Sequence, residues 1–295
     1  MTTRVRKPCV AGGFYPADPV ELNAILDKMI AAAGENAVAG RDFIDASPAG
    51  VIVPHAGYVY SGAIAAAGLT AAAKQRKETK RIVLVAPSHR FAFNGVAVGD
   101  YTELDTPIGK LPVDLERQNA LAAAADGVLL HHAERPLETE HALEVELPLI
   151  RRIFGEIPVL PAVAGRIFPD DAKKLATCFS GFSDADTLFV VSSDFTHYGR
   201  DFDYVPFTGD VRKKLRELDL SAAEVISGGD PAAFGRFLAA TGATICGAAP
   251  IKLALAALGG AGKVYGGTVA YTNSGELTGD FSHCVGYCAV TLYKK

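Results

Sequence analysis

The chain has 295 residues, of which 49% are hydrophobic, and its formal net charge is −4 at pH 7. This length and apolar content allow a large buried core, while the weak net charge gives no reason to expect a nucleic acid or an anionic membrane as partner. No stretch approaches the roughly 18 uninterrupted apolar residues of a membrane span. Residues 1–8 carry charge without the apolar segment of a signal peptide, and the five cysteines are sparse and odd in number. We therefore expect a soluble, cytoplasmic α/β protein.

Helix and strand patterns alternate along the chain. Helices are predicted at residues 19–34, 61–74, 114–125, 138–154, 170–182, 207–226, 230–241 and 246–258. Strands are predicted at residues 50–54, 81–86, 95–98, 128–130, 157–163, 187–193, 264–272 and 284–292. Strands that alternate with helices favour a mostly parallel central sheet flanked by helices. Because no linker or low-complexity tract interrupts the pattern, we expect a single domain over residues 1–295.

Local patterns predict several of the helix ends and turns. Asp18, Ser61 and Asp114 are expected to cap helices with side-chain oxygens, and Pro148 is expected to kink or end its helix. Residues 4–15 contain one proline and two glycines and are expected to be irregular. The last two strands are close enough in sequence to form an antiparallel hairpin, joined by a glycine-rich turn at residues 273–280.

Polar side chains follow three of the predicted strands. Pro54 and His55 end the first, Pro87, Ser88 and His89 follow the second, and the third leads into Asp194 and His197. Because the carboxyl ends of parallel strands meet at one edge of a sheet, where ligands bind, we expect these side chains to converge. One histidine alone is most simply a surface or core residue. Three such placements favour a metal site or a proton-transfer site.

Cys246 lies at the predicted start of a helix, in the sequence Thr244-Ile-Cys-Gly-Ala-Ala-Pro250. The unpaired N–H groups and the dipole at a helix start stabilise a thiolate, which is a strong ligand for borderline and soft metals. The alternative is a small buried side chain. Cys284 and Cys288 are expected to belong to the core.

His141 and Glu144 are three residues apart and share a face of a predicted helix. In one interpretation His141 is a general acid or base that Glu144 orients. A surface ion pair explains the same spacing equally well. His131 and His132 precede a polar loop and are expected to be exposed to solvent.

Two common kinds of site are poorly supported. The chain has no Gly-x-Gly-x-x-Gly after a strand and no phosphate-binding Gly-Lys-Ser or Gly-Lys-Thr loop. A serine hydrolase would have to use Ser88, Ser192 or Ser193, and none of these lies in a Gly-x-Ser-x-Gly turn.

The chain resembles the Memo family, also called the B component of the AmmeMemoRadiSam system. The resemblance rests on segments that follow one another in the family's order over essentially the whole chain. These segments are residues 6–16, 53–62, 87–89, 140–148, 192–198, 246–247, 272–280 and 285–287.

The resemblance implies a fold like that of the class III extradiol ring-cleavage dioxygenases of the LigB type. It also implies that His55, His89 and Cys246 bind a metal ion, with His141, Asp194 and His197 beside them. The dioxygenases hold Fe(II) with two histidines and a carboxylate. Cys246 replaces that carboxylate, and a thiolate changes the potential of iron and also favours copper or zinc. Ring cleavage therefore does not follow from fold likeness.

The leading functional hypothesis is a metal-dependent redox protein that uses iron or copper, with zinc as a further alternative, on a small-molecule or peptide substrate. His141 and His197 would handle protons, and Asp194 would orient one of the histidines. The family's system implies a radical-SAM protein and a second small protein as partners. The alternative hypothesis is a non-catalytic module of Memo type that binds metal or a peptide.

Overall fold

The computed structural model describes residues 3–36, 46–76, 78–125, 127–130 and 133–295. The strands are β1 (Val5–Arg6), β2 (Pro48–Val53), β3 (Arg81–Pro87), β4 (Val96–Ala97), β5 (Glu103–Leu104), β6 (Leu111–Pro112), β7 (Leu129–Leu130), β8 (Val159–Ala164), β9 (Thr187–Ser192), β10 (His197–Tyr198), β11 (Val264–Asn273) and β12 (Cys284–Lys294). The helices are α1 (Pro19–Asn36), α2 (Ala63–Gln75), α3 (Leu115–Ala124), α4 (Glu134–Glu138), α5 (His141–Glu144), α6 (Glu146–Phe154), α7 (Pro169–Ser180), α8 (Val211–Ser227), α9 (Pro231–Thr241), α10 (Ala248–Ala257) and α11 (Ser274–Thr278).

The central sheet is mixed, with its parallel strands in the middle. Its order is β11-β12-β2-β9-β3-β8-β4-β7, and β10 pairs with the start of β12. Strands β2, β9, β3 and β8 are parallel, whereas β12 and β4 run antiparallel to their inner neighbours. Strands β1, β5 and β6 form a separate small sheet. The predicted α/β class and the antiparallel pairing of the last two strands are confirmed.

Helices cover both faces of the central sheet and explain why its strands are continuous apolar runs. In β3, Val83 and Val85 belong to one buried cluster, which also contains residues of α7, α8 and α10. Ile82 and Leu84 belong to the cluster on the opposite face, with residues of α1, α2 and α6. Because successive side chains of a strand point to opposite faces, a strand buried on both sides has apolar residues at nearly every position.

Two of the predicted helix caps are confirmed and one is wrong. The Asp18 carboxylate accepts hydrogen bonds from the backbone N–H groups of Val20 and Glu21, both at 2.9 Å. The Asp114 carboxylate accepts from the N–H of Arg117 at 3.2 Å. Ser61 instead lies in a π-helical turn that precedes α2, and its hydroxyl donates to the carbonyl of Ala56.

The predicted helix over residues 138–154 is divided into α4, α5 and α6. Its last break lies at Val145, in the turn before Pro148, as expected for a proline that cannot donate to the carbonyl of Glu144. This break fits the prediction that Pro148 kinks or ends the helix. Pro148 occupies the first turn of α6, where the N–H that proline lacks would have no partner within the helix. The break also separates α5, which carries His141, from α6.

Two predicted irregular regions contain regular structure. Residues 4–15 include β1, which pairs in parallel with β5, and residues 273–280 include α11. β1 has two residues and α11 has five, and both are too short to show an amphipathic pattern in the sequence. Among the described residues, no helix is both long and apolar enough to cross a membrane. His131 and His132 lie outside the described residues.

Candidate metal centre

The loops after β2 and β3 bring His55 and His89 together. Both strands pair in parallel with β9, so their carboxyl ends lie at the same edge of the sheet. The two imidazole rings meet edge to face, with their centroids 5.2 Å apart. His55 is 1% exposed, whereas the side chain of His89 is 29% exposed. One imidazole is therefore enclosed and the other reaches solvent.

Cys246 lies in the turn before α10 and completes this group. Its Sγ is 3.3 Å from Nε2 of His55 and 3.6 Å from the carbonyl oxygen of Asp194. One ligand atom from each of His55, His89 and Cys246 lies within 4.8 Å of the others. The sequence pattern suggested a stabilised thiolate, but burial and the nearby Asp194 carboxylate raise the pKa of Cys246 well above its usual range. This raised pKa favours the thiol form of Cys246 and opposes the expected stabilisation of a thiolate by the helix start.

Gly247 allows the Cys246 turn to approach the end of β9. Its N–H donates to Oγ of Ser193 at 3.0 Å. A Cβ atom at position 247 would lie 2.3 Å from Cβ of Ser193, closer than any real contact. A side chain here would therefore push Cys246 away from His55.

Asp194 and His197 follow β9, as predicted, and are held by backbone groups. The Asp194 carboxylate accepts from the N–H of His55 at 2.8 Å and does not touch its ring. Burial raises the pKa of Asp194 to about 7, against the lowering effect of the His55 and Ala56 N–H groups. Nδ1 of His197 lies 2.9 Å from the carbonyl oxygen of Thr244. Asp194 thus orients the backbone that carries His55, while the segment before Cys246 orients His197.

The ring of His55 is held by Ser192, the last residue of β9. The Ser192 hydroxyl lies 2.7 Å from Nδ1 of His55, 2.7 Å from the carbonyl oxygen of Ala142 and 3.0 Å from Oε1 of Glu146. Burial, followed by the charges of the neighbouring histidines, keeps the pKa of His55 well below its usual range. His55 is therefore neutral at pH 7, as metal binding requires.

This serine–histidine contact does not support a hydrolase. Ser192 and Ser193 are fully buried, and a nucleophile must be reachable by its substrate. The hydroxyl of Ser193 donates to the carbonyl of Asp194, and that of Ser88 donates to the carbonyl of Phe91. These hydroxyl groups support the local backbone.

His89 is held by Glu140, which the sequence analysis did not select. The Glu140 carboxylate is fully buried. Its Oε2 accepts from the N–H of His89 at 2.7 Å, and its Oε1 lies 2.9 Å from Nδ1 of His89. Oε1 also accepts from the N–H of Ala142 at 3.1 Å, so the same carboxylate begins α5. No local pattern pointed to this role, because Glu140 lies inside the helix predicted over residues 138–154.

His141 joins the same cluster of imidazoles. Its ring centroid is 4.6 Å from that of His89 and 5.5 Å from that of His55. Burial, with the charge of His89, lowers the pKa of His141 to about 4. A neutral His141 at pH 7 is able to accept a proton.

Glu144 does not orient His141, and it forms no surface pair either. Both expectations are wrong, because Glu144 is fully buried against Arg6, with Nη1 of Arg6 2.5 Å from its Oε2. Glu144 also accepts from the N–H groups of Cys9 and Val10 and from the hydroxyl of Tyr15. Arg6 donates further to the carbonyls of residues 137, 138 and 140. This ion pair ties β1 to the segment that carries Glu140 and His141.

Comparison with known proteins identifies the family. The family model described as Memo-like protein matches residues 6–291. The chain belongs to the Memo family. A MEMO1 family protein of Aquifex aeolicus is 32% identical, with 96% of this chain and 97% of that protein covered. A MEMO1 family protein of Methanopyrus kandleri is 29% identical, with 97% and 98% covered. The Protein memo-1 homolog of Caenorhabditis elegans is 30% identical, with 84% of this chain and 69% of that protein covered.

In this Memo-family protein a cavity of about 480 Å³ adjoins the candidate metal centre. Its walls are formed by the ends of β3 and β8, the loop after β3 and the start of α10, and include Phe91, Phe93, Arg166 and Cys246. A larger groove of about 760 Å³ between α7 and α10 shares Ala249 with this cavity. Among the described residues, no histidine, cysteine or carboxylate lines that groove. The smaller cavity is therefore the one positioned for chemistry at the centre.

Proposed function

We propose that this Memo-family protein is a metal-dependent oxidoreductase whose metal ion is held by His55, His89 and Cys246. The observation that carries the proposal is the convergence of these side chains, whose ligand atoms lie within 4.8 Å of one another. Two imidazoles and a thiolate suit iron, copper and zinc. We propose iron or copper as the resident metal, with zinc as the alternative. Three protein ligands, as in catalytic sites, leave one position for water or substrate.

The surroundings of the ligands fit such an ion. The Nδ1 atoms of His55 and His89 each have a hydrogen-bond partner, Ser192 and Glu140. Each ring is thereby oriented and keeps Nε2 for a metal, as is usual for metal-binding histidines. Cys246 must lose its proton to bind, so binding releases a proton and weakens as the pH falls.

The chain's own residues supply the remaining requirements of a reaction. A substrate bound in the 480 Å³ cavity would contact Cys246, Phe91 and Phe93, which line it. His141 and His197 are proposed to exchange protons with the substrate, a role that the contact of the His141 ring with His89 supports, while the Asp194 carboxylate accepts from the N–H of His55 and holds that loop. Bound iron or copper would supply electron transfer to or from oxygen or the substrate.

Two further proposals concern the cellular setting of the protein. We propose that the protein acts in the cytoplasm, because its five cysteines are free thiols, as expected in a reducing compartment. We also propose a radical-SAM protein and a second small protein as partners. Recovery of both with tagged protein from its native host would support this, and recovery of neither at native expression levels would contradict it.

The three-ligand proposal is tested by metal analysis of protein purified without added metal. We expect about one bound ion per chain in the wild type and its loss in His55→Ala and Cys246→Ser. His283→Ala is the matched control, because His283 is a half-exposed histidine paired with Asp201. Unchanged metal content in both ligand variants would refute the proposal.

Oxidoreductase activity needs a separate measurement. Oxygen consumption is followed for the Fe(II)- and the copper-loaded protein with a reductant and a panel of catechols and thiols. Turnover above that of the free metal, abolished by Cys246→Ser, would support catalysis. Stoichiometric metal binding without such turnover would favour the non-catalytic binding module.

A further inference from the structure

Glu140 is a buried carboxylate whose contacts converge on His89 and on the helix that begins with His141. The side chain is completely buried, a costly position for a charge unless it is fully paired. Both oxygens are hydrogen-bonded to His89, one to its backbone N–H and one at 2.9 Å from its ring Nδ1. The second oxygen also lies 3.3 Å from Nδ1 of His141. A single carboxylate therefore contacts two imidazoles from different elements.

These contacts determine which nitrogen of His89 is free. Each oxygen of Glu140 accepts a backbone N–H, Oε2 from His89 at 2.7 Å and Oε1 from Ala142 at 3.1 Å, and such donors favour the ionised carboxylate. An ionised carboxylate has no proton to donate, so the proton between Oε1 and Nδ1 belongs to the imidazole. The lone pair of His89 is then on Nε2. The backbone contact to the same residue fixes the position of the ring as well as its tautomer.

The group that contacts Nδ1 of His55 is uncharged, unlike the Glu140 carboxylate at His89. Nδ1 of His55 meets the hydroxyl of Ser192, a neutral group that is able to donate or accept. The single proton of this hydroxyl is donated to the carbonyl of Ala142, so its oxygen accepts from Nδ1–H of His55. Ser192 thus favours the same tautomer as Glu140 does at His89, but without a charge. A carboxylate partner also strengthens an imidazole as a metal ligand.

We propose that Glu140 is a positioning residue for the metal centre, which holds His89 in the Nδ1–H tautomer with Nε2 directed to the ion. This inference rests on the proposed function, because it assumes that His89 is a ligand. It assigns a role to a residue outside the three-ligand set. Loss of the carboxylate charge should therefore weaken metal binding although every ligand remains.

The first test compares Glu140→Gln with Glu138→Gln. Glu138 lies in the same segment and is exposed, so the control makes the same chemical change without touching a histidine. The probe is Co²⁺, titrated against a chromophoric chelator, and its thiolate absorption reports whether Cys246 is bound. We expect Glu140→Gln to bind about 10–100-fold more weakly with the thiolate band retained, and Glu138→Gln to match the wild type. Wild-type affinity in Glu140→Gln would overturn the proposal.

A double-mutant cycle separates positioning from general damage to the fold. In a His89→Ala background, Glu140→Gln should cause no further loss of Co²⁺ affinity, because the residue through which it acts is gone. An equally large further loss would show that Glu140 acts on the fold and would overturn the positioning role. Should Glu140→Gln fail to fold, Glu140→Asp, which retains the charge, takes its place with a smaller expected loss.

The metal-free protein gives a readout that does not depend on the proposed function. Long-range ¹H–¹⁵N spectra of the imidazole rings should show a pure Nδ1–H tautomer for His89 in the wild type and a mixture in Glu140→Gln. If the wild type binds no metal, the proposed function fails, and these spectra still show whether Glu140 sets the tautomer. Two bound ions in the wild type and one in Glu140→Gln would make Glu140 a ligand and would overturn the positioning role.

Discussion

The two histidines of the candidate metal centre are held by different parts of the molecule. His55 is enclosed at the middle of the sheet, where its ring contacts Ser192 at the end of β9. His89 is partly exposed, and its ring Nδ1 contacts the Glu140 carboxylate. Arg6 of the N-terminal strand β1 donates to the carbonyl of Glu140 and so links the two segments. One histidine is thus positioned by the central sheet and the other by a peripheral segment. Substitutions in the central and in the peripheral supporting contacts should therefore differ in how much they lower the free energy of unfolding.

The largest effect is expected at the peripheral support. Arg6→Met leaves the Glu144 carboxylate buried without its partner, so we expect the free energy of unfolding to fall by about 3–5 kcal/mol. Denaturant unfolding monitored by circular dichroism measures the loss. Lys7→Met is the matched control, since the Lys7–Asp105 pair is at the surface with Lys7 71% exposed, and its cost should be about 0–1 kcal/mol. Equal effects of the two substitutions would contradict the role given to Arg6.

A smaller loss is expected at the central support. Ser192→Ala removes the hydroxyl shared by His55, Ala142 and Glu146. The free energy of unfolding should fall by about 1–3 kcal/mol, because buried polar atoms are left without a partner. Ser180→Ala, which removes an exposed hydroxyl bonded to Thr177, should change it by less than about 0.5 kcal/mol. A Ser192→Ala protein as stable as this control would show that the hydroxyl is dispensable.

A third effect concerns the loop after β9 and depends on pH. The buried Asp219 carboxylate accepts from the N–H of Thr196 and from the hydroxyl of Tyr271, and burial raises its pKa from 3.8 to about 7. Between these values the folded state binds more protons at this residue than the unfolded state. Its contribution to stability is therefore greatest at low pH and falls, by at most roughly 1.4 kcal/mol per pH unit, until about pH 7.

Asp219→Asn cannot titrate and should lack this contribution. The free energy of unfolding is measured for both proteins from pH 4 to pH 8. We expect the wild-type value minus the variant value to fall as the pH rises to about 7 and then to stay constant. Parallel profiles would show that Asp219 has the same pKa in both states.

The positions of the histidines were predictable from the sequence because they depend on local order. Apolar runs that end in proline and histidine place His55 and His89 after strands, and parallel pairing brings strand ends together. The supporting contacts were not predictable in the same way. Arg6 and Glu144 are 138 residues apart, and His55 and Ser192 are 137 apart. No periodicity links such positions, since only the folded sheet makes them neighbours.

Two errors have the same cause. Spacing on a helix face suggested that Glu144 orients His141, but Glu144 instead pairs with the buried Arg6 of the N-terminal strand. The position of Cys246 at a helix start suggested a thiolate. Burial, which the sequence does not reveal, instead raises the pKa of Cys246 and favours the thiol. In both cases a local rule was overruled by burial and by partners distant in sequence.

The position of β9 between β2 and β3 has a consequence for how the protein is made. Neighbouring strands lie about 4.8 Å apart, so the inserted strand sets the strands of His55 and His89 at roughly twice that spacing. During synthesis both histidines leave the ribosome long before β9 does, and Cys246 follows later still. The nascent chain therefore cannot complete the candidate metal centre until most of its length has emerged. If the centre binds a metal ion as proposed, loading is a late event that follows closure of the sheet.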